Sequence, residues 1–111
     1  MAVDYKKELQ ILIQTVITER ASDLHLSVDI HPTLRVNSAL IPLVKKPILT
    51  SVDVLGFAEV MMRPEFIERL NRRVEVDFSY ENAEGARFRG NTFYQKGKLA
   101  IALRLIPNVI M

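Results

Sequence analysis

Arg87, Arg89 and Arg104 stand in the last third of the chain, on two runs of alternating apolar residues that flank Lys96-Gly97. That pattern predicts a β-hairpin. A loop of two residues (Lys96, Gly97) or of four (Gln95 to Lys98) pairs Tyr94 with Leu99 and sets Arg89 directly opposite Arg104. Like charges in that position repel. The pair is tolerable if an anion sits between the guanidiniums, and phosphate matches arginine's planar fork. A loop of odd length separates the two arginines, so the phosphate reading is conditional on register. Spacing alone favours the plainer alternative, a solvated sheet face with local ion pairs.

Ser22, Asp23 and His25 have the residue types of a hydrolase triad. Neighbours on one strand point to opposite faces and do not align nucleophile, base and acid, so a triad is rejected. Asp23 and His25 do share a face, a candidate for a polar network that includes Asp77. His25 and His31 lack further ligands at metal-binding spacing, which makes them structural or surface histidines and predicts no metal site. Gly90 and Gly97-Lys98 are the nearest approach to a P-loop, but the spacing is too long and Leu99 replaces the magnesium-binding hydroxyl. The chain has no phosphate cradle of its own, so no catalytic residue and no bound cofactor are expected within it. Arg87, Phe88, Arg89, Phe93 and Tyr94 mix basic and aromatic residues as RNA-binding strands do. Alternation splits them between two faces without a stacking platform, which argues against a nucleic-acid partner.

These side chains need a frame. Leu9, Leu12, Ile13 and Val16 fall at helical spacing between Asp4, a candidate cap, and Arg20. Leu24, Leu26 and Val28 alternate as a first strand, Leu34 to Val36 form a second, and Ala39 to Leu43 a third that Pro42 confines to an edge or an end. Thr50 and Asp53 have capping-box spacing ahead of a helix that Pro64 ends. Pro64 also suits the first turn of a short helix with Phe66, Ile67 and Leu70. Val74, Val76, Phe78 and Tyr80 alternate as a fourth strand, and the hairpin supplies the last two. The expected fold class is α+β, a mainly antiparallel six-stranded sheet with about three helices. Leu24, Leu26, Val76, Phe78 and Leu103 should be buried with Leu9, Leu12 and Val16.

The composition suits one domain: 111 residues, 49% hydrophobic and 25% charged, with a net charge of +2. Without cysteine there is no disulfide, thiol nucleophile or thiolate metal site. Charged residues precede the first apolar run, so a signal peptide is not expected, and no stretch has the length of a membrane span. A cytoplasmic location is the simplest expectation.

Ala21-Ser22-Asp23-Leu24-His25-Leu26 changes the balance, together with Arg35-Val36, Val76-Asp77-Phe78-Ser79, Ala86-Arg87-Phe88-Arg89-Gly90-Asn91, Tyr94-Gln95-Lys96-Gly97 and Leu103-Arg104-Leu105-Ile106-Pro107. In order and spacing, over nearly the whole chain, these blocks resemble the N-terminal domain of PilT-like ATPases, the type IV pilus retraction (twitching motility) motors of the secretion-ATPase superfamily. The resemblance implies a PAS-like domain over 1–106, with 107–111 opening a linker to an absent RecA-like ATPase domain. It implies a hexamer that binds ATP and magnesium through that second domain. The implied partners are that RecA-like domain, neighbouring subunits and an inner-membrane pilus or secretion platform, to which the cytoplasmic motor is peripheral. Arg89 and Arg104, and less firmly Arg87, would reach the nucleotide's phosphates on domain closure, while Ser22, Asp23 and His25 belong to a family motif. A pilus-assembly or type II secretion motor, or a free-standing PAS-like binding module, is the alternative. Two departures stand out: Asn37-Ser38 replaces an Asp-Gly turn, and Gly90 takes a position where Val is frequent, which suggests closer backbone approach there. Replacing either Arg89 or Arg104 by Ala should relieve repulsion and slightly stabilise the fold.

Overall fold

The computed structural model describes residues 3–107, so residues 108–111 of the anticipated linker lie outside the described residues. Helix α1 spans Tyr5–Thr18, and Asp4 caps it by accepting from the Lys7 amide at 3.1 Å. Strands β1 (Asp23–Ser27), β2 (Thr33–Val36) and β3 (Ala39–Pro42) follow, then helices α2 (Ser51–Met61) and α3 (Pro64–Asn71). Strands β4 (Val76–Glu81), β5 (Arg87–Gln95) and β6 (Lys98–Leu105) come last.

All six strands form one antiparallel sheet in the order β3-β2-β1-β6-β5-β4. The fold is α+β, as expected. The last strand in sequence thus lies mid-sheet, joining the two hairpin halves. Turns set the registers. Lys96 (φ 52°) and Gly97 (φ 77°) are both left-handed, which gives the two-residue turn whose twist matches the strands. Asn37 (φ 50°) and Ser38 (φ 71°) make the equivalent turn between β2 and β3, so the departure at these positions keeps the same geometry.

The helices cover one face of the sheet. Leu9, Leu12, Ile13 and Val16 of α1 pack with Leu24, Leu26, Val76, Phe78, Phe88, Ile101 and Leu103 in the core predicted from alternation. Val74 is the exception: it precedes β4 and is exposed, because the chain is still turning out of α3 through the left-handed Arg73. Thr50 and Asp53 form the reciprocal cap of α2, at 3.1 Å and 2.8 Å. Asp53 also accepts from the Tyr5 hydroxyl at 2.7 Å, and the Tyr5 ring lies edge-on to Phe57. One carboxylate therefore caps α2 and ties it to the first turn of α1. Pro64 opens α3 at its first turn, where a missing N–H costs nothing.

Gly90 shows how the absence of a side chain shapes the sheet. Its partner on β4 is Phe78, whose Cε1 would lie 2.6 Å from a Cβ built on Gly90. The glycine makes room for an aromatic ring; the expected close approach of backbone is replaced by a side chain lying over it.

Candidate functional site

The face of the sheet away from the helices is open, and two cross-strand rows run over it. The first reads Arg35, Asp23, Arg104, Arg89 and Ser79 from β2 to β4. The second reads Thr33, His25, Ala102, Asn91 and Asp77. Residues from both rows line a hollow of about 890 Å³. Small Ala102 at its middle lets the longer side chains around it define the walls.

Arg89 lies directly opposite Arg104, and Tyr94 opposite Leu99, the register that a two-residue loop requires. The strand order adds what the hairpin lacked. Arg104 is also the partner of Asp23 on its other side, and its Nε donates to Asp23 Oδ1 at 3.1 Å. Asp23 is buried, and the Ser22 hydroxyl donates to its second oxygen at 2.6 Å. Arg89 makes no ion pair among the described residues. The two arginines are therefore unequal, and removing Arg104 strips a buried carboxylate of its cation rather than merely relieving repulsion. For Arg104 this contact replaces the expected slight stabilisation with an expected loss.

Arg87 is not among the residues lining the hollow. It shares the face of β5 but lies at the strand's far end, where its Nε is 3.7 Å from the Glu81 carboxylate. Arg35 takes the third place instead. Sequence reasoning placed it in a family block without a site role. Its alternation with Leu34 and Val36 marked an outward face, but the register of the β1–β2 hairpin, which sets it opposite Asp23, was not fixed by the turn residues.

Ser22, Asp23 and His25 are brought to the same corner of the sheet, without a triad. Ser22 bonds to Asp23, and His25 Nε2 is buried without a hydrogen-bond partner among the described residues. Burial, reinforced by Arg35 and Arg104 against the pull of Asp23, holds His25 below its ordinary value of 6.5. Burial would raise the Asp23 carboxyl, but bonds from Ser22 and Arg104, with Arg104 and His25 charge beside it, outweigh that and lower it. Asp77 joins through Asn91, whose amide donates to Asp77 at 2.7 Å and to Glu75 at 2.9 Å. His31 is structural, since its Nδ1 donates to the Lys46 carbonyl at 2.7 Å and pins the loop before α2.

Three guanidiniums against one neutralised carboxylate leave this row with excess positive charge on an open, partly apolar surface.

No protein-family model matches the chain. The type IV pilus ATPase PilU of Pseudomonas aeruginosa is 28% identical over 106 residues, which are 93% of this chain and 27% of that protein. Among solved structures, the pilus retraction motor PilT with bound ADP superposes with a TM-score of 0.80 at 35% identity, over 90% of this chain and 29% of that one. The chain is homologous to the N-terminal domain of PilT-like secretion ATPases. The ATPase DotB of Legionella pneumophila has the same fold, with a TM-score of 0.77 at 19% identity over 89% of this chain and 29% of its own. The chain spans less than a third of each of these relatives. The hollow with Arg89 and Arg104 lies on the open side of the sheet.

Proposed function

We propose that the chain is the regulatory and oligomerisation domain of a hexameric type IV pilus retraction ATPase, and that Arg89 and Arg104 contribute to the nucleotide site of an adjoining P-loop domain. The observation that carries this reading is the Arg89–Arg104 pair on an open sheet face, in a chain related to PilT and PilU. Two guanidiniums at adjacent strand positions suit the outer phosphates of ATP: they neutralise charge and fix orientation. The P-loop domain would supply the phosphate cradle and the magnesium ligands. Arg87 serves at most as a peripheral contact, because Glu81 faces it. The motor would act in the cytoplasm, docked on an inner-membrane platform.

The test is ATP turnover of the longer protein. Arg89→Ala and Arg104→Ala should each depress it, by less than the roughly three to five orders of magnitude that a trans-acting arginine supplies in other phosphoryl transfers. Lys at either position should restore only part, since the bidentate fork is lost. Unchanged turnover in both Ala variants would return these arginines to a solvated sheet face.

A further inference from the structure

The grip on Arg104 is one-sided. Asp23 takes its Nε at 3.1 Å, while the two terminal nitrogens have no hydrogen-bond partner among the described residues and the side chain is 74% exposed. Asp23 is itself anchored without the arginine's help. The Ser22 hydroxyl holds its second oxygen, the Ser22 amide donates to the Arg35 carbonyl at 2.9 Å, and the Leu105 amide donates to the Ser22 carbonyl at 3.0 Å. Ser22 is thus stitched to the strands on both sides, and it delivers the carboxylate to a fixed point.

We propose that Asp23, buttressed by Ser22, is a positioning residue for phosphate: it holds Arg104 by Nε so that the terminal nitrogens, with the unpaired guanidinium of Arg89 opposite, meet one phosphate group. This rests on the phosphate reading above and adds how the arginine is prepared for it. A free surface arginine loses rotamer freedom when it binds, and one restrained beforehand loses less. With Nε engaged, the end of the fork remains for a bidentate contact.

Charge alone argues the opposite way. A carboxylate beside the guanidinium weakens its pull on a second anion, so if Asp23 served only to neutralise, its loss would tighten binding. The two roles differ in sign. Inorganic tripolyphosphate is titrated at constant ionic strength into the ¹⁵N-labelled 111-residue chain, followed at the Nε–H resonances of Arg89 and Arg104. In the wild type both should move along one saturation curve. Asp23→Ala should weaken binding roughly three- to tenfold, the net scale of one ordinary hydrogen bond. Asp23→Asn should weaken it less, because its amide oxygen still accepts, and Ser22→Ala should fall between it and the wild type. Backbone spectra check the fold, and if Asp23→Ala does not fold, Asp23→Asn and Ser22→Ala decide. Equal or tighter binding in the folded variants overturns the positioning role and leaves the phosphate reading standing. No movement of either arginine in the wild type overturns the positioning role, and the phosphate reading then rests on the turnover test above.

Discussion

The Phe78 ring fills the space that a side chain at Gly90 would need. The two are cross-strand partners on the helix-covered face, and both are buried. Gly90→Val should therefore destabilise the fold by about 1–3 kcal/mol, the range for overpacking a filled core. Phe78→Ala alone should cost about 3–5 kcal/mol. Combined, the two should cost less than their sum, since the valine then occupies the vacated space. Denaturant unfolding of the four-member cycle reads this coupling directly, and strict additivity would show that the ring and the glycine are independent.

Gly56 poses a second steric test. It sits inside α2, where Ala ordinarily gains about 1 kcal/mol over Gly. A Cβ there would lie 2.8 Å from Tyr5 Cγ, at the root of a ring that also bonds Asp53. Gly56→Ala should lower the melting temperature, against helix propensity. In a Tyr5→Ala background the same substitution should raise it.

The two arginines of the central pair should separate by stability. Arg89→Ala breaks no ion pair among the described residues, so a change within about 0.5 kcal/mol, neutral or favourable, is expected. Arg104→Ala leaves Asp23 buried with only the Ser22 hydroxyl. Its cost should be about 1 kcal/mol, at the low end for a broken charge-assisted bond because Arg104 itself is well solvated. Parallel urea titrations of both variants provide the check, and equal midpoints would remove the asymmetry.

Acid should act on this corner in two stages. His25 is held below 6.5 in the fold, so the unfolded chain takes up its proton first. Stability present above that value is lost as pH falls below it, down to the folded-state pKa. Asp23 is held below 3.8, so its contribution survives above that value and is lost as pH falls through its lower folded pKa. Unfolding midpoints compared at about pH 7.5 and about pH 5.5 should fall in the wild type and change much less in His25→Gln. An equal fall in both would assign the first stage to other groups.

Local order was legible because it has local causes. Asp4, the Thr50–Asp53 box, Pro64 and the Lys96-Gly97 turn each act within a few residues, and the two-residue turn alone decides that Arg89 meets Arg104. Lateral strand order has no such signal. The pairing of β1 with β6 comes from packing Leu24 and Leu26 against α1 and the rest of the core, and only that pairing brings Asp23 to Arg104. Val74 looked like part of β4 because alternation does not register where a backbone is still turning. The reason for Gly90 was likewise hidden, since the ring that needs the space belongs to another strand.

The position of β6 also sets when the sheet can exist. Asp23 and Arg104 are 81 residues apart in sequence, and the two halves of the sheet are joined through this last strand. During synthesis the early hairpin of β2 and β3 emerges long before its central neighbour. The halves therefore join only once the end of the domain has left the ribosome, with the closure of a long loop still to be met. Until that moment β1 has an open edge on the side that β6 will occupy. The domain is completed in one late step by the strand that also brings Arg104 to Asp23.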